Sequence, residues 1–335
     1  MARLRSLAAL VIAGLPALPG CGGDAPPAAT PAAAESRVSE RPAGTLVYLS
    51  GGNRLTAVDV ASGRRRVRRM SSVATCGPEM HVLAGRIVFA GVVKGRTTVF
   101  SVPVSLDRRP TRLGPAHLFV PSATEGRVWL AGVDCDRAEM TGVREVTVDG
   151  HVTVDSRRRV PGTWVSAAVR AGLVVQRGRR LQIWDPRTGR TVRPLTLAGV
   201  TGGRGDLMVG CTERSDCRDV AVADAASART VVARPPGRRR LDLGAELSPD
   251  GSLLAAPAFR DRRWSVALVD TRTGATRILP GSHSGRRYPQ VAWSASSGWL
   301  FIRGWAGRVL AYRPGASRAV KLPLRLREAA TFVAG

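Results

Sequence analysis

Along most of this chain, runs of four to eight apolar residues alternate with short turns, and helical spacing of apolar positions is nearly absent. The clearest block is 247–281, LSPDGSLLAAPAFRDRRWSVALVDTRTGATRILPG. It predicts an apolar strand after a tight turn, an alternating strand ending at Asp270, a Thr-Gly turn and a short outer strand. Asp270-Thr-Arg-Thr-Gly274 recurs as Asp185-Pro-Arg-Thr-Gly189 and Asp59-Val-Ala-Ser-Gly63, and without its glycine as Asp224-Ala-Ala-Ser-Ala228. An Asp that opens such a turn accepts backbone N–H groups, and Gly supplies the positive φ where the chain reverses.

Degenerate copies at 98–113, 143–154 and 308–322 complete seven units spaced roughly 36 to 48 residues apart. Upstream of each turn lies a second apolar run: LVYLS, IVFAG, VWLAG, LVVQ, LMVG, LLAAPAF and LFIRG. Upstream of six of these lies a third: MHVLA, HLFVP, WVSAAV, LTLAGV, LDLGAEL and PQVAWSA. Four short strands per repeat predict an all-β fold, a seven-bladed β-propeller with four-stranded antiparallel blades. The first unit lacks its innermost strand, and 326–335 (LREAATFVAG) is a strand with no unit of its own. The C-terminal strand is therefore expected to close the first blade, leaving no open sheet edge in the ring.

LSPDGSLLAAP followed by VALVDTRTGATRIL resembles the blade signature of WD-repeat and TolB-like propellers, and VAWSASSGWLFIRG (291–304) is a second, weaker copy. The resemblance is good over 240–325 and faint before that. It implies the fold and no particular activity.

The N-terminus reads as a targeting segment. Arg3 and Arg5 precede the apolar run 7–18, and Leu18-Pro19-Gly20-Cys21 resembles a bacterial lipobox. The resemblance implies a lipoprotein signal peptide over 1–20, lipidation of Cys21, and a protein held by a lipid anchor on the outer face of the bacterial cell membrane. Residues 21–43 carry the lipidated Cys and an Ala/Pro-rich tether, and 44–335 is the propeller.

Four further cysteines remain in a chain expected to be exported, which favours disulfides. Cys211-Cys217 would staple the mouth of a hairpin, and Cys76-Cys135 is geometrically allowed because the loops bearing all four thiols share one face. That face is the expected recognition surface, with Asp134, Asp136, Glu139, Glu213, Arg214 and Asp216 as an acidic patch on a basic protein.

Formal charge is +26, or +24 without Arg3 and Arg5, and almost all of it is arginine. Such a composition is also what GC-rich coding produces. Attraction to anionic lipid or acidic wall polymer fits the expected compartment. Nucleic acid does not fit, since aromatics are only 5% and no basic stripe is interleaved with them.

Catalytic signals are weak. His81 and His117 fall in expected innermost strands and could line the channel, but no metal-ligand spacing accompanies them, or His151 and His283. Asp134, Asp136 and Glu139 lack the pattern of a calcium loop. No Gly-x-Ser-x-Gly elbow occurs, and Ser-Pro-Asp-Gly (248–251) reads as a turn. Trp129, Trp164, Trp184, Trp264, Trp293, Trp299 and Trp305 mostly fall in strands, where packing between blades accounts for them. The expectation is a monomeric interaction or ligand-binding module with no cofactor, no metal and no catalytic residues, whose partner is an envelope protein or ligand. The alternative is an envelope hydrolase or lyase acting on sugars or peptides at the channel mouth.

Overall fold

The computed structural model describes residues 41–50, 53–70, 80–134, 139–212, 219–237, 239–326 and 329–335. They form seven antiparallel sheets, the blades of one propeller. Blade 1 runs Ala329–Ala334, Thr45–Ser50, Arg54–Asp59, Arg65–Arg69 from channel to rim, and blade 2 runs Met80–Leu83, Arg86–Val93, Arg96–Pro103, Thr111–Pro115. Blade 3 is Leu118–Pro121, Arg127–Asp134, Glu139–Thr147, Val152–Ser156, and blade 4 is Trp164–Val169, Gly172–Arg177, Arg180–Asp185, Arg190–Pro194. Blade 5 is Gly199–Arg204, Leu207–Cys211, Val220–Asp224, Thr230–Val232. Blade 6 starts with two short pieces, Arg240–Leu241 and Glu246–Leu247, then Leu253–Arg260, Arg263–Asp270, Thr276–Ile278; blade 7 is Gln290–Trp293, Leu300–Arg303, Arg308–Tyr312, Val320–Arg325.

The closure expected from the repeat count is present. Ala329–Ala334 pairs antiparallel with Thr45–Ser50, in the register Leu46↔Ala334, Val47↔Val333 and Tyr48↔Phe332. Thr45 and Gly335 exchange backbone bonds at 2.9 Å in both directions.

The apolar runs are continuous because each sheet is buried on both faces. Successive side chains of a strand point to opposite faces, so each strand feeds two interfaces. Val291, Trp293, Leu300 and Ile302 pack toward blade 6, while Ala292 and Phe301 pack toward blade 1. The core is accordingly seven separate wedges, one between each pair of neighbouring blades. Trp129 and Trp184 fill the wedge between blades 3 and 4, Trp293 that between 6 and 7, and Trp299 that between 7 and 1.

The outer turns behave as their sequences demand. Asp59 Oδ1 accepts Ser62 N at 2.7 Å, Asp185 Oδ1 accepts Arg187 N at 2.9 Å, Asp224 Oδ1 accepts Ala226 N at 2.8 Å and Asp270 Oδ1 accepts Thr273 N at 2.8 Å. The hydroxyls of Ser62 and Thr273 hold the Asp59 and Asp270 carboxyls below the usual range, with the backbone N–H groups adding to the effect. Gly63, Gly189 and Gly274 sit at φ 69°, 75° and 76°, and Ala228 is forced to φ 58° in the fourth copy.

Two innermost strands differ from expectation. In blade 5 the strand is Gly199–Arg204 rather than LTLAGV, because Leu197 is drawn into the wedge between blades 4 and 5 and Leu195 N bonds back to Leu181 O. The neighbouring strand Leu207–Cys211 permits the close backbone approach of this segment: a Cβ on its Gly210 would lie 2.0 Å from Gly199 O. In blade 6 LDLGAEL is broken, because Gly244 N bonds Asp242 Oδ1 and the Tyr288 hydroxyl occupies the space a Cβ on Gly244 would need.

Two outcomes follow. Phe332→Ala, in the closing strand, should lower stability by about 3–5 kcal/mol, and truncation after Arg325 should cost more, both read by thermal unfolding. An unchanged melting temperature in the truncated chain would show that the tail does not close the ring. Ala228→Gly should raise stability by about 0.5–1 kcal/mol, since it relieves a left-handed residue at a turn position where the sister turns use glycine.

Candidate functional site

The innermost strands line the channel, and the polar residues they carry are few. His81 lies in Met80–Leu83 of blade 2, its ring edge-on to Phe119 of blade 3 with centroids 5.5 Å apart. Arg204 ends the innermost strand of blade 5, and Glu246 sits in the second inner piece of blade 6. Blades 2 and 5 stand on opposite sides of a seven-membered ring. Even so, the Arg204 charge bears on both His81 and Glu246, so it bridges the channel electrostatically.

Position along the strands fixes which end of the channel this is. Arg204 is the last residue before the turn to the second strand of its blade, Leu207–Cys211, with which it pairs at Leu207. Glu125 and Asp250, whose carboxylates also act on Arg204, lie in the corresponding turns of blades 3 and 6. Ser-Pro-Asp-Gly (248–251) is that turn in blade 6: Ser248 Oγ donates to Asp250 Oδ1 at 2.6 Å, and Gly251 takes φ 73°. Asp250 N donates to Ser297 Oγ at 3.0 Å, tying it to the same turn of blade 7. The cluster therefore occupies the channel mouth framed by the first-to-second-strand turns.

Environment sets the charges. Glu246 is half-buried among protein groups, and burial pushes its carboxyl up to about 7, opposed by Arg204 and by the Trp293 backbone N–H. Trp293 Nε1 donates to the Glu246 carbonyl at 3.0 Å, so blade 7 fixes the backbone that carries this carboxyl. Burial, and then the Arg204 charge, push His81 down to about 4. Partial burial lowers Arg204, and Glu246, Glu125 and Asp250 oppose this. At neutral pH the mouth thus holds a neutral imidazole, a guanidinium and a carboxyl near its midpoint.

His81 and His117 do not form a pair. His117 is exposed just before Leu118–Pro121, near the other end of its strand. Glu145 is a buried carboxylate with a purely structural set of partners: Ser122 Oγ at 2.6 Å, Thr153 Oγ1 at 2.7 Å and Arg127 Nη1 at 3.3 Å. Trp264 lies between Phe259, at a tilt, and Tyr288, edge-to-face, each with ring centroids 4.8 Å away, and Trp164 is exposed, so neither belongs to a core wedge.

Of the expected recognition residues, Asp134 and Glu139 fall on the opposite face. Asp134 ends the second strand of blade 3, Glu139 begins the third, and the two pair with each other in register. Asp136, Glu213, Arg214, Asp216, Cys21, Cys76, Cys135 and Cys217 lie outside the described residues. Cys211 is fully buried at the end of Leu207–Cys211. Arg204, Glu125, Asp250 and Glu246 went unrecognised in the sequence. The available signal was Glu246 itself, a carboxylate inside the apolar run LDLGAEL.

The two shifted groups give stability opposite pH slopes. Glu246 binds its proton more tightly in the fold than out of it, so its contribution falls as pH rises from about 4.5 to about 7. His81 binds its proton less tightly in the fold, so its contribution rises from about 4 to about 6.5. In the wild type the two largely cancel. Glu246→Gln should therefore show a melting temperature that climbs with pH across that window, and His81→Phe one that declines. Profiles parallel to the wild type in both variants would mean that neither group is shifted.

No protein-family model matches the chain, and no curated protein matches it by sequence. Its fold does match solved structures. The crystal structure of TolB from Acinetobacter baumannii is 11% identical over 87% of this chain, with a TM-score of 0.52, and this chain spans 66% of that chain's length. Apo AztD from Citrobacter koseri is 12% identical over 88% of this chain and 98% of its own, with a TM-score of 0.48. At such identities the likeness is one of fold: a TolB-like β-propeller.

Proposed function

We propose that this protein is an exported lipoprotein, acylated on Cys21 and held on the outer face of the bacterial cell membrane, whose propeller binds an envelope protein or ligand at the mouth of its channel. The observation that carries this reading is the gathering of His81, Arg204 and Glu246, from three different blades, at one end of the channel, with Glu125 and Asp250 at its rim. These innermost strands are otherwise mostly apolar or small residues, many of them packed into the wedges, with Arg240 and Gln290 the other large polar side chains they carry. Arg204 offers a carboxylate or phosphate a charged fork, and the surrounding carboxyls offer sites to donors.

The face bearing Cys76, Cys135, Cys211 and Cys217, with Asp134, Asp136, Glu139, Glu213, Arg214 and Asp216, remains a second contact surface in this proposal. Cys211 is held as a half-cystine, which supports a staple to Cys217. Such a short loop gains about 2–3 kcal/mol at most from closure.

A catalytic reading has one specific observation in its favour. A carboxyl pushed up to about 7 and an imidazole pushed down to about 4 flank one guanidinium, an arrangement that leaves a proton donor and a proton acceptor available together at neutral pH. In that reading the protein is an envelope hydrolase or lyase acting on sugars or peptides.

Cell fractionation and a photo-crosslinking residue at Glu125 test the proposal together. The wild type should sit in the membrane fraction with an acyl mass on Cys21, and Cys21→Ser should lack that mass and leave the membrane fraction or remain unprocessed. A discrete crosslinked species should form from position 125 and weaken at least tenfold with Arg204→Ala. An unmodified Cys21 overturns the anchor, and a crosslink indifferent to Arg204→Ala overturns the site. Turnover of a glycan or peptide substrate that is lost in Glu246→Gln would favour the enzyme over the binding module.

A further inference from the structure

The outermost strand of blade 1, Arg65–Arg69, reads Arg-Arg-Val-Arg-Arg and lies open on the rim, with Arg64 preceding it in the turn. Two of its arginines reach across the gap to the outer turn of blade 2. Arg66 Nη1 donates to Ser105 O at 3.0 Å, and Arg68 Nη1 donates to Arg108 O. These bonds bring the Arg108 segment against the strand and so concentrate cations from two blades on one stretch of rim. The carboxylates described along this stretch are Asp59 and Asp107. Both accept serine hydroxyls, Ser62 Oγ at 2.6 Å and Ser105 Oγ at 2.7 Å, and their charges attract Arg64 (from Asp59) and Arg66 and Arg108 (from Asp107), but these two carboxylates face the cations of Arg64, Arg65, Arg66, Arg68, Arg69 and Arg108.

The chain joins the fold at the same place. Val60 N donates to Gly44 O at 2.9 Å, and Thr45 pairs with Asp59, whose turn leads directly into Arg65. Arg41, the first described residue, is exposed three residues before Gly44 and adds another cation to the segment that enters the fold here. Nineteen residues of Ala/Pro-rich chain separate Cys21 from Arg41. A flexible chain of that length spans on average about 25 Å, comparable to the width of a domain, so a lipid on Cys21 holds this part of the rim near the headgroups.

We infer that the rim around Arg41, Arg64, Arg65, Arg66, Arg68 and Arg69 is a membrane-docking surface that seats the propeller on anionic lipid headgroups. This rests on the reading that Cys21 is acylated. The lipid supplies attachment, and the arginine rim supplies orientation. Guanidinium forks suit lipid phosphates, and cations close to an anionic leaflet each strengthen binding about fivefold. The position of the tether favours a bilayer over an acidic wall polymer, because the rim lies where the anchored chain emerges.

The test uses the chain from residue 22 onward, which lacks the acyl group and contains all seven sheets and wedges. Sedimentation with vesicles of phosphatidylglycerol and phosphatidylcholine should show binding that vanishes on pure phosphatidylcholine and falls as salt rises past physiological strength. Changing Arg65, Arg66, Arg68 and Arg69 to Gln should reduce vesicle binding by about a hundredfold or more. Changing Arg177, Arg179, Arg180 and Arg262, exposed on second-to-third-strand hairpins of other blades, removes the same charge and should cost less than tenfold. Arg65→Gln/Arg69→Gln alone, which spares the bonds to blade 2, should still lose about 25-fold.

Equal losses from the two fourfold variants, or no binding to anionic vesicles, would overturn the docking surface. So would binding to acidic wall polymer with none to lipid. Acyl attachment at Cys21, read separately by mass, is untouched by any of these outcomes.

Discussion

The structure depends on packing between blades. A four-stranded sheet of this composition is apolar on both faces and cannot be stable alone, because each face needs a neighbour to exclude water. Ring closure supplies that neighbour for every blade at once. The seven wedges are therefore mutually dependent, and the strand Ala329–Ala334 matters beyond its length. It completes the inner edge of blade 1 and contributes Phe332 and Ala334 to the wedge between blades 7 and 1. Fully burying a large apolar side chain is worth about 1.5–3 kcal/mol, so the two chain ends hold each other in place largely through packing.

The same geometry explains the channel mouth. Innermost strands from seven blades converge on the channel, where side chains from different blades face one another. Apolar or small residues are harmless there, whereas a charged residue is costly unless neighbours compensate it. Arg204 and Glu246 are partly compensated by each other, and His81 avoids the cost by remaining neutral. Groups arranged in this way have displaced pKa values as a consequence of the fold, and displaced pKa values are common at functional sites. The arginines follow a different logic. On outer strands such as Arg65–Arg69 they occupy the exposed edge of a sheet, where charge blocks edge-to-edge association, and the same charge remains available to an anionic surface.

Local chemistry and burial pattern made much of the fold legible in the residues. Asp-x-x-x-Gly turns, short continuous apolar runs and the unmatched C-terminal strand each carry a short-range signal, and each appears in the structure as read. The two innermost strands that differ, in blades 5 and 6, did so for long-range reasons. Leu197 found a better place in a wedge than in the channel wall, and Tyr288, more than forty residues away, occupies the space beside Gly244. A linear pattern carries no record of such competition. The candidate site was less legible for the same reason, since His81, Arg204 and Glu246 are separated by most of the ring's sequence and are linked only across its centre.

The sequence by itself determined how many blades there are, where their outer turns fall, and that the tail returns to the head, because turn chemistry and strand periodicity act over a few residues. Only the tertiary structure decided which ionisable groups share the channel mouth and what charge each carries. Those properties depend on distances across the ring and on the degree of burial, and both exist only once seven separately encoded sheets have closed into one.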